Sequence, residues 1–404
     1  MNSGISTIDV ILISTPIYQS LIFVVFSITL YLRKKDPAKL MLALFMLVSG
    51  VYFFISGIYI HQIYPYFVNA YYFGIPLILS LLPLFYLYIK SLFYPEIRNG
   101  KKKLLHFGPA ILVLLLNFPF LLMSYDEKFN YIIIAYGQSD ASLLIKYLTW
   151  VNRASIYVVL FLQLLIYSVM FFIRYPDYKK RVEDYYSDTE EIELNWVPAV
   201  LVSFTLFFLV LGAYHLIKLP NRFEYRINFN ILLTVLSFLI GYFGLLQPTA
   251  FGKVADDNPK TDDSEIFSQE EDIIKNKYTR SSLNDGLRDE LATKLDQALK
   301  VDGMYRNPEL TLEDLARTLN TNSKYLSQVI NEFYGVNFYT LVNKLRVDYA
   351  SEIIRSKNSK GFTLTYVGQI SGFNSKSTFN LAFKKFTGQT PSDYIKEFAI
   401  QRPV

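Results

Sequence analysis

The chain has no cysteine among its 404 residues, which excludes a disulfide framework, a thiolate metal site and a cysteine nucleophile. Histidine is scarce: His61, His106 and His215 are the only three, and their spacing fits no metal pair. No metal or other cofactor is expected. Gly100-Lys101 and Gly252-Lys253 both lack the Ser or Thr of a phosphate-binding P-loop. No Lys or Arg precedes Arg33, so the basic start of a cleaved signal peptide is missing and the N-terminus is expected to be retained.

Carboxylates are missing where they would matter most for transport or intramembrane catalysis. Seven apolar runs approach or exceed the ~20 residues that cross a hydrocarbon layer, and none contains Asp or Glu. They span Val10 to Leu32, Leu40 to Ile60, Tyr71 to Phe93, Leu104 to Met123, Trp150 to Ile173, Leu194 to Ile217 and Ile227 to Leu246. Buried core helices of a soluble protein rarely run this long, this many times, with charge confined to connectors. Nothing in the chain forms a catalytic constellation, and a non-enzyme is expected.

Orientation follows from the basic residues, which cytoplasmic loops retain. Arg33, Lys34, Lys35 and Lys39, then Arg98, Lys101, Lys102 and Lys103, then Arg174, Lys179, Lys180 and Arg181 fill the first, third and fifth connectors. The other side holds Lys128, Lys146, Lys218, Arg222 and Arg226, the last three fitting the rule poorly. This places the N-terminus outside a multi-pass inner (cytoplasmic) membrane protein and everything after Leu246 in the cytoplasm. Pro76, Pro83, Pro109, Pro119 and Pro198 interrupt spans and can kink them. His61, Asn152, Arg153 and His215 fall near the outer ends of their spans. They read either as interfacial anchors or as an outward-facing signal pocket.

Residues 1–252 thus form an expected transmembrane sensor domain, and 253–279 an acidic cytoplasmic linker with eight Asp or Glu against four Lys. From 280 to 404 the pattern becomes short amphipathic helices. Thr311 and Asp314 can cap a helix whose face carries Leu312, Leu315, Ala316 and Leu319. Asn320-Thr321-Asn322 breaks it, and Asn322 can cap a second helix carrying Leu326, Val329, Ile330 and Phe333 and closed by Gly335. About fifty residues on, Leu364 to Ser371, the break Gly372-Phe373-Asn374 and the face Phe379, Ala382, Phe383 and Phe386 repeat the arrangement. A longer helix, Phe338 to Ser356, joins the two units through Leu341, Leu345, Tyr349 and Ile353. The expected class is therefore all-α: a seven-helix transmembrane bundle followed by a double helix-turn-helix domain.

The open faces of the second helices, Lys324, Ser327, Gln328 and Asn331 in one and Lys376, Ser377, Asn380 and Lys384 in the other, are the candidate DNA contacts. Between Arg317 and Lys385, ten Lys or Arg (Arg317, Lys324, Lys344, Arg346, Arg355, Lys357, Lys360, Lys376, Lys384, Lys385) face three carboxylates, a surplus suited to a polyanion.

Residues 305–397 resemble the C-terminal domain of the AraC/XylS family of bacterial transcription regulators. The resemblance rests on Leu310 to Ala316, Tyr325-Leu326-Ser327, Asn337-Phe338, Leu345-Arg346, Gly372 to Phe379, Phe383-Lys384-Lys385 and Gly388 to Pro391. Lys277 to Leu283 is similar to what precedes this domain in membrane-anchored members. The family usually has Arg at the position of Leu381 and Ala at that of Gly368, so one DNA contact of the family is absent here. The resemblance implies a sequence-specific regulator coupling an extracytoplasmic or in-membrane signal to gene expression. Its expected partners are DNA, the lipid bilayer, an unidentified small-molecule or membrane signal and, in a homodimer the residues leave open, a second copy. A transporter or membrane enzyme with an accessory DNA-binding domain, and a scaffold whose helical domain binds protein, are the alternatives.

Overall fold

The computed structural model describes the backbone of residues 7–60, 63–93, 103–135, 142–216, 222–250, 285–356 and 362–400. All its regular elements are helical; among the described residues the one extended pairing is an isolated antiparallel bridge between Tyr186 and Thr311. The chain divides into two compact units: Met1–Arg174 with Leu194–Lys260, and Tyr175–Glu193 with Thr261–Val404. Residues 175–193, the fifth connector of the apolar part in the sequence, group with the C-terminal residues.

In the first unit, α1 (Thr7–Lys34), α2 (Pro37–Ile60) and α3 (Tyr64–Phe93) pack in succession. The fourth apolar run is broken: after a 3-10 turn at Leu105–Phe107 come α4 (Gly108–Leu116) and α5 (Phe118–Leu122), which meet at Asn117. Pro109 and Pro119 sit in their first turns, where a proline is tolerated because the missing N–H would be unpaired anyway. A capped turn, α6 (Tyr125–Phe129), follows. α7 (Leu143–Ala154) and α8 (Leu160–Tyr185) join through a π-turn at Ser155–Val159 into one continuous helix of 43 residues, mainly apolar to Ile173 and charged beyond it.

α9 (Trp196–Leu216) and α10 (Arg222–Leu246) complete the unit, α10 packing on α1 and α2. Gly241 makes that approach feasible, because a Cβ there would lie 2.7 Å from the Phe23 ring and 2.8 Å from Met46. Lys39, at the start of α2, donates to the carbonyls of Gly244 (3.0 Å), Leu245 (2.9 Å) and Gln247 (2.7 Å), satisfying the C-terminal end of α10.

Five helices among the described residues are long and apolar enough to cross a membrane: Ser14–Lys34, Pro37–Tyr59, Tyr64–Phe93, Leu105–Leu122 and Leu143–Tyr185. The sixth and seventh runs are helical as well, with shorter described apolar stretches, Trp196–Leu206 and Asn230–Leu246. The outward faces of α1, α4 and α8 are apolar: Val25 is 63% exposed, Leu115 63% and Ile166 54%. The linker 253–279, together with Arg98, Lys101, Lys102 and His61, lies outside the described residues.

The second unit begins with α11 (Asp285–Asp296), a π-turn to Val301 and a 3-10 turn at Met304–Arg306. α12 (Leu312–Thr318) and α13 (Ser323–Tyr334) form the first helix-turn-helix, α15 (Leu364–Ile370) and α16 (Lys376–Thr387) the second, and α14 (Phe338–Arg355) joins them before α17 (Pro391–Ile400). The expected caps are present. Thr311 and Asp314 make a reciprocal capping box, Asn322 caps α13, and Gly335 ends it in the left-handed region at φ 66°.

Two cores share α14. Phe338, Leu341 and Val342 pack with Leu315, Leu326 and Ile330, whereas Val347, Ala350 and Ile354 pack with Val367, Phe379 and Phe383. The buried seam is rotated from the one expected: Leu345, Tyr349 and Ile353 are only half-buried, while Asn343 and Arg346 are fully buried. In the second break, Gly372 takes φ 96°, and a Cβ there would lie 2.7 Å from the Tyr305 carbonyl oxygen, so backbone approach as well as conformation demands glycine.

Candidate nucleic-acid interface

On α13 the apolar positions Leu326, Val329 and Ile330 turn inward, which leaves Lys324, Ser327, Gln328 and Asn331 on the opposite face. Lys324 and Asn331 are exposed and the other two are half-exposed. Two amides are engaged along the helix: Gln328 donates to Glu332 at 2.8 Å, and Asn331 to the Ser327 carbonyl at 2.8 Å.

On α16, Thr378, Phe379, Ala382 and Phe383 are buried, leaving Lys376, Ser377 and Lys384 exposed and Asn380 half-buried. Leu381 shares this open face and is 72% exposed. It stands where the family resemblance has Arg, and an apolar side chain in the major groove can still contact a thymine methyl. Gly368 lies beneath α16, where a Cβ would come within 3.1 Å of the Phe379 ring. That close approach accounts for glycine where the resemblance has alanine.

Of the ten basic residues, Arg317, Lys324, Lys344, Arg355, Lys376, Lys384 and Lys385 are exposed, and Lys357 and Lys360 lie outside the described residues. Arg346 does not belong with them. Its guanidinium is fully buried and donates to the carbonyls of Tyr305 (2.7 Å), Asn307 (2.7 Å) and Ser187 (3.3 Å), to the Ser187 hydroxyl (2.9 Å) and to Asn343 Oδ1 (3.2 Å). Burial lowers its pKa to about 10, against the attraction of Asp188 and Tyr339, so it stays charged at neutral pH.

Two of those acceptors come from the segment 175–193, where the sequence pattern marks no site residue. Ser187 is buried, its hydroxyl donating to the Leu310 carbonyl at 2.6 Å and its own carbonyl accepting from Asn343 at 2.9 Å. The Tyr185 hydroxyl donates to Glu313, and Asn337 donates to Glu183 at 3.2 Å. Further along, the Glu190 carboxylate accepts hydrogen bonds from the hydroxyls of Ser375, Ser377 (2.5 Å) and Thr378 (2.6 Å), at the first turn of α16. The hydroxyl donors, Ser375 first, hold the Glu190 carboxyl below its ordinary range. The available signal was the polar Ser187-to-Glu193 stretch, whose three glutamates offset the basic residues counted for topology.

Elsewhere, Asn152 is buried and donates to the Tyr131 hydroxyl at 2.9 Å, beside a core of Phe67, Phe120 and Leu148. Arg153 is half-buried next to it in α7, while His61 and the side chain of His215 lie outside the described residues.

Residues 315–397 match a family described as a helix-turn-helix domain, of the AraC type. The chain is 28% identical over 101 residues to an uncharacterised HTH-type transcriptional regulator of Staphylococcus aureus strain COL, covering 25% of this chain and 13% of that protein. It is 28% identical over 90 residues to the raffinose operon transcriptional regulatory protein RafR of Pediococcus pentosaceus, covering 22% of this chain and 31% of that one. The matches therefore span less than a third of these relatives. Among solved structures, the C-terminal domain of AraT, a response regulator from Geobacillus stearothermophilus, is 26% identical, covering 29% of this chain and 88% of that one with a TM-score of 0.25.

Proposed function

We propose that this chain, whose residues 315–397 are a helix-turn-helix domain of the AraC type, is a membrane-bound, sequence-specific transcription regulator that answers a signal received in or outside the bilayer and is not an enzyme. The observation that carries the reading is the pair of helices α13 and α16, each with one apolar face packed and its polar face turned outward: Lys324, Ser327, Gln328 and Asn331 on α13, and Lys376, Ser377, Asn380 and Lys384, with Leu381, on α16. Such side chains hydrogen-bond base edges and phosphates in the major groove.

Membrane attachment is supported by five long apolar helices, by their exposed Leu, Ile, Val and Phe side chains, and by basic residues gathered in alternate connectors. In this reading the N-terminus is outside, the C-terminal domain is cytoplasmic, and His61, Asn152, Arg153 and His215 belong to the signal-receiving part. A ligand changes the output only if it binds one conformation of the helices better than another.

The test is selection from a random-sequence duplex pool by the full chain in lipid nanodiscs. A recurrent motif is expected, with affinity falling steeply as salt rises, because released counterions drive the phosphate contacts. Absence of any enriched motif, or binding indifferent to salt, would overturn the reading.

A further inference from the structure

We propose that Glu190 occupies the place of a DNA phosphate at the N-terminus of α16, so that the segment Tyr186–Glu193 and duplex DNA compete for one set of hydroxyls. The inference rests on the DNA-binding reading above and adds an autoinhibitory contact to it.

Glu190 meets the end of a helix of twelve residues, where unpaired N–H groups and the helix dipole favour an anion. Ser375 is the N-cap: its oxygen accepts from the Thr378 N–H at 3.1 Å, which leaves its hydroxyl proton for the carboxylate. Ser377 and Thr378 give theirs to the same carboxylate. A phosphodiester oxygen would use the same three donors, and both anions cannot be present without like-charge repulsion. Ser377 is also one of the residues that the sequence assigns to DNA, and Lys376 stands beside it on the exposed face.

The segment has a fixed part and a releasable part. Ser187 is buried and bound by Arg346, Asn343 and Leu310, whereas Glu190, three residues on, is exposed. The loop is closed on itself: Tyr178 donates to the Ile192 carbonyl at 3.0 Å and Lys179 pairs with Glu193 at 3.5 Å. Exposed hydrogen bonds to a carboxylate are open to competition by water and by other anions, while the buried set is not. Glu190 can therefore leave without the segment undocking. The segment continues directly from α8 and into α9, so a change in those helices reaches Glu190 through the shortest stretch of chain.

The experiment measures binding of the same random-sequence duplex pool to the full chain in nanodiscs, comparing the parent with Glu190→Gln, Glu190→Ala and Glu190→Lys. The alanine variant should bind about tenfold more tightly, an effect the size of one strong charge-assisted contact. The lysine variant should bind more tightly still, with a steeper salt dependence, and the isosteric glutamine should fall between parent and alanine. Adding Ser377→Ala to Glu190→Ala should reverse part of the gain, because the phosphate loses a donor. If the parent binds and all three Glu190 variants bind no better, the competition is wrong and the DNA reading stands. If the parent and every variant fail to bind, the DNA reading falls and this inference falls with it.

Discussion

Arg346 shows how far a side chain's charge misleads about its place. Counted among the basic residues it belongs with a DNA surface, but five acceptors drawn from Tyr305, Asn307, Ser187 and Asn343 surround it in the interior. No local pattern announces this, since the acceptors are backbone and small polar groups up to 159 residues away. Arg346→Ala leaves those carbonyls unpaired and opens a cavity. It should cost about 3 kcal/mol or more in chemical unfolding of the C-terminal unit, a loss seen with or without DNA. Glu190 behaves differently. Its carboxyl sits below the ordinary 4.5 because the hydroxyls of Ser375, Ser377 and Thr378 donate to the charged form. A lowered folded value means that its contribution is complete above the unfolded value and disappears as pH falls through the folded one. The affinity gap between parent and Glu190→Ala should then stay constant from about pH 6 to about pH 8, as binding isotherms at each pH would show.

Among the elements, the helix ends were the most legible, because a cap is a local contract between residues three apart. Thr311 with Asp314, Asn322 with Tyr325, and Gly335 could be read from the sequence as written. The inner face of α14 was less so. Its seam must serve two cores, and the resulting rotation buries Asn343 and Arg346 where a four-residue repeat had suggested Leu345 and Tyr349. The segment 175–193 was not legible as a partner of the C-terminal domain at all, for its contacts are hydrogen bonds to distant residues and carry no periodicity. The recognition helix α16 offers a test of its open face. Leu381→Arg places a cation where the family resemblance has one, and should increase the slope of log affinity against log salt by about one unit with tighter binding overall. Unchanged salt dependence in a titration series would place that position away from the phosphates.

For the whole molecule, the all-α class and the double helix-turn-helix were readable from hydrophobic period and break spacing, as were the apolar runs. Where the helices end was harder, because a helix can run on past its apolar residues through polar ones: α3 starts at Tyr64, before the run that marked it, and α8 continues through Arg174, Lys179 and Lys180 to Tyr185. The docking of Ser187 also alters how the C-terminal unit is held. A domain joined only through residues 253–279 would be lost when that stretch is cut. Here Tyr175–Glu193, which forms the end of α8 and the connection from it to α9, is packed into that domain by buried bonds from Arg346 and Asn343. In the membrane-bound reading, a protease site inserted within 253–279 and cleaved in isolated membranes should therefore leave the C-terminal fragment in the pellet. Ser187→Ala combined with Arg346→Lys should let it wash free. The chain would then be understood as tethered twice, once through its backbone and once by a clasp, with the acidic linker setting reach and not retention.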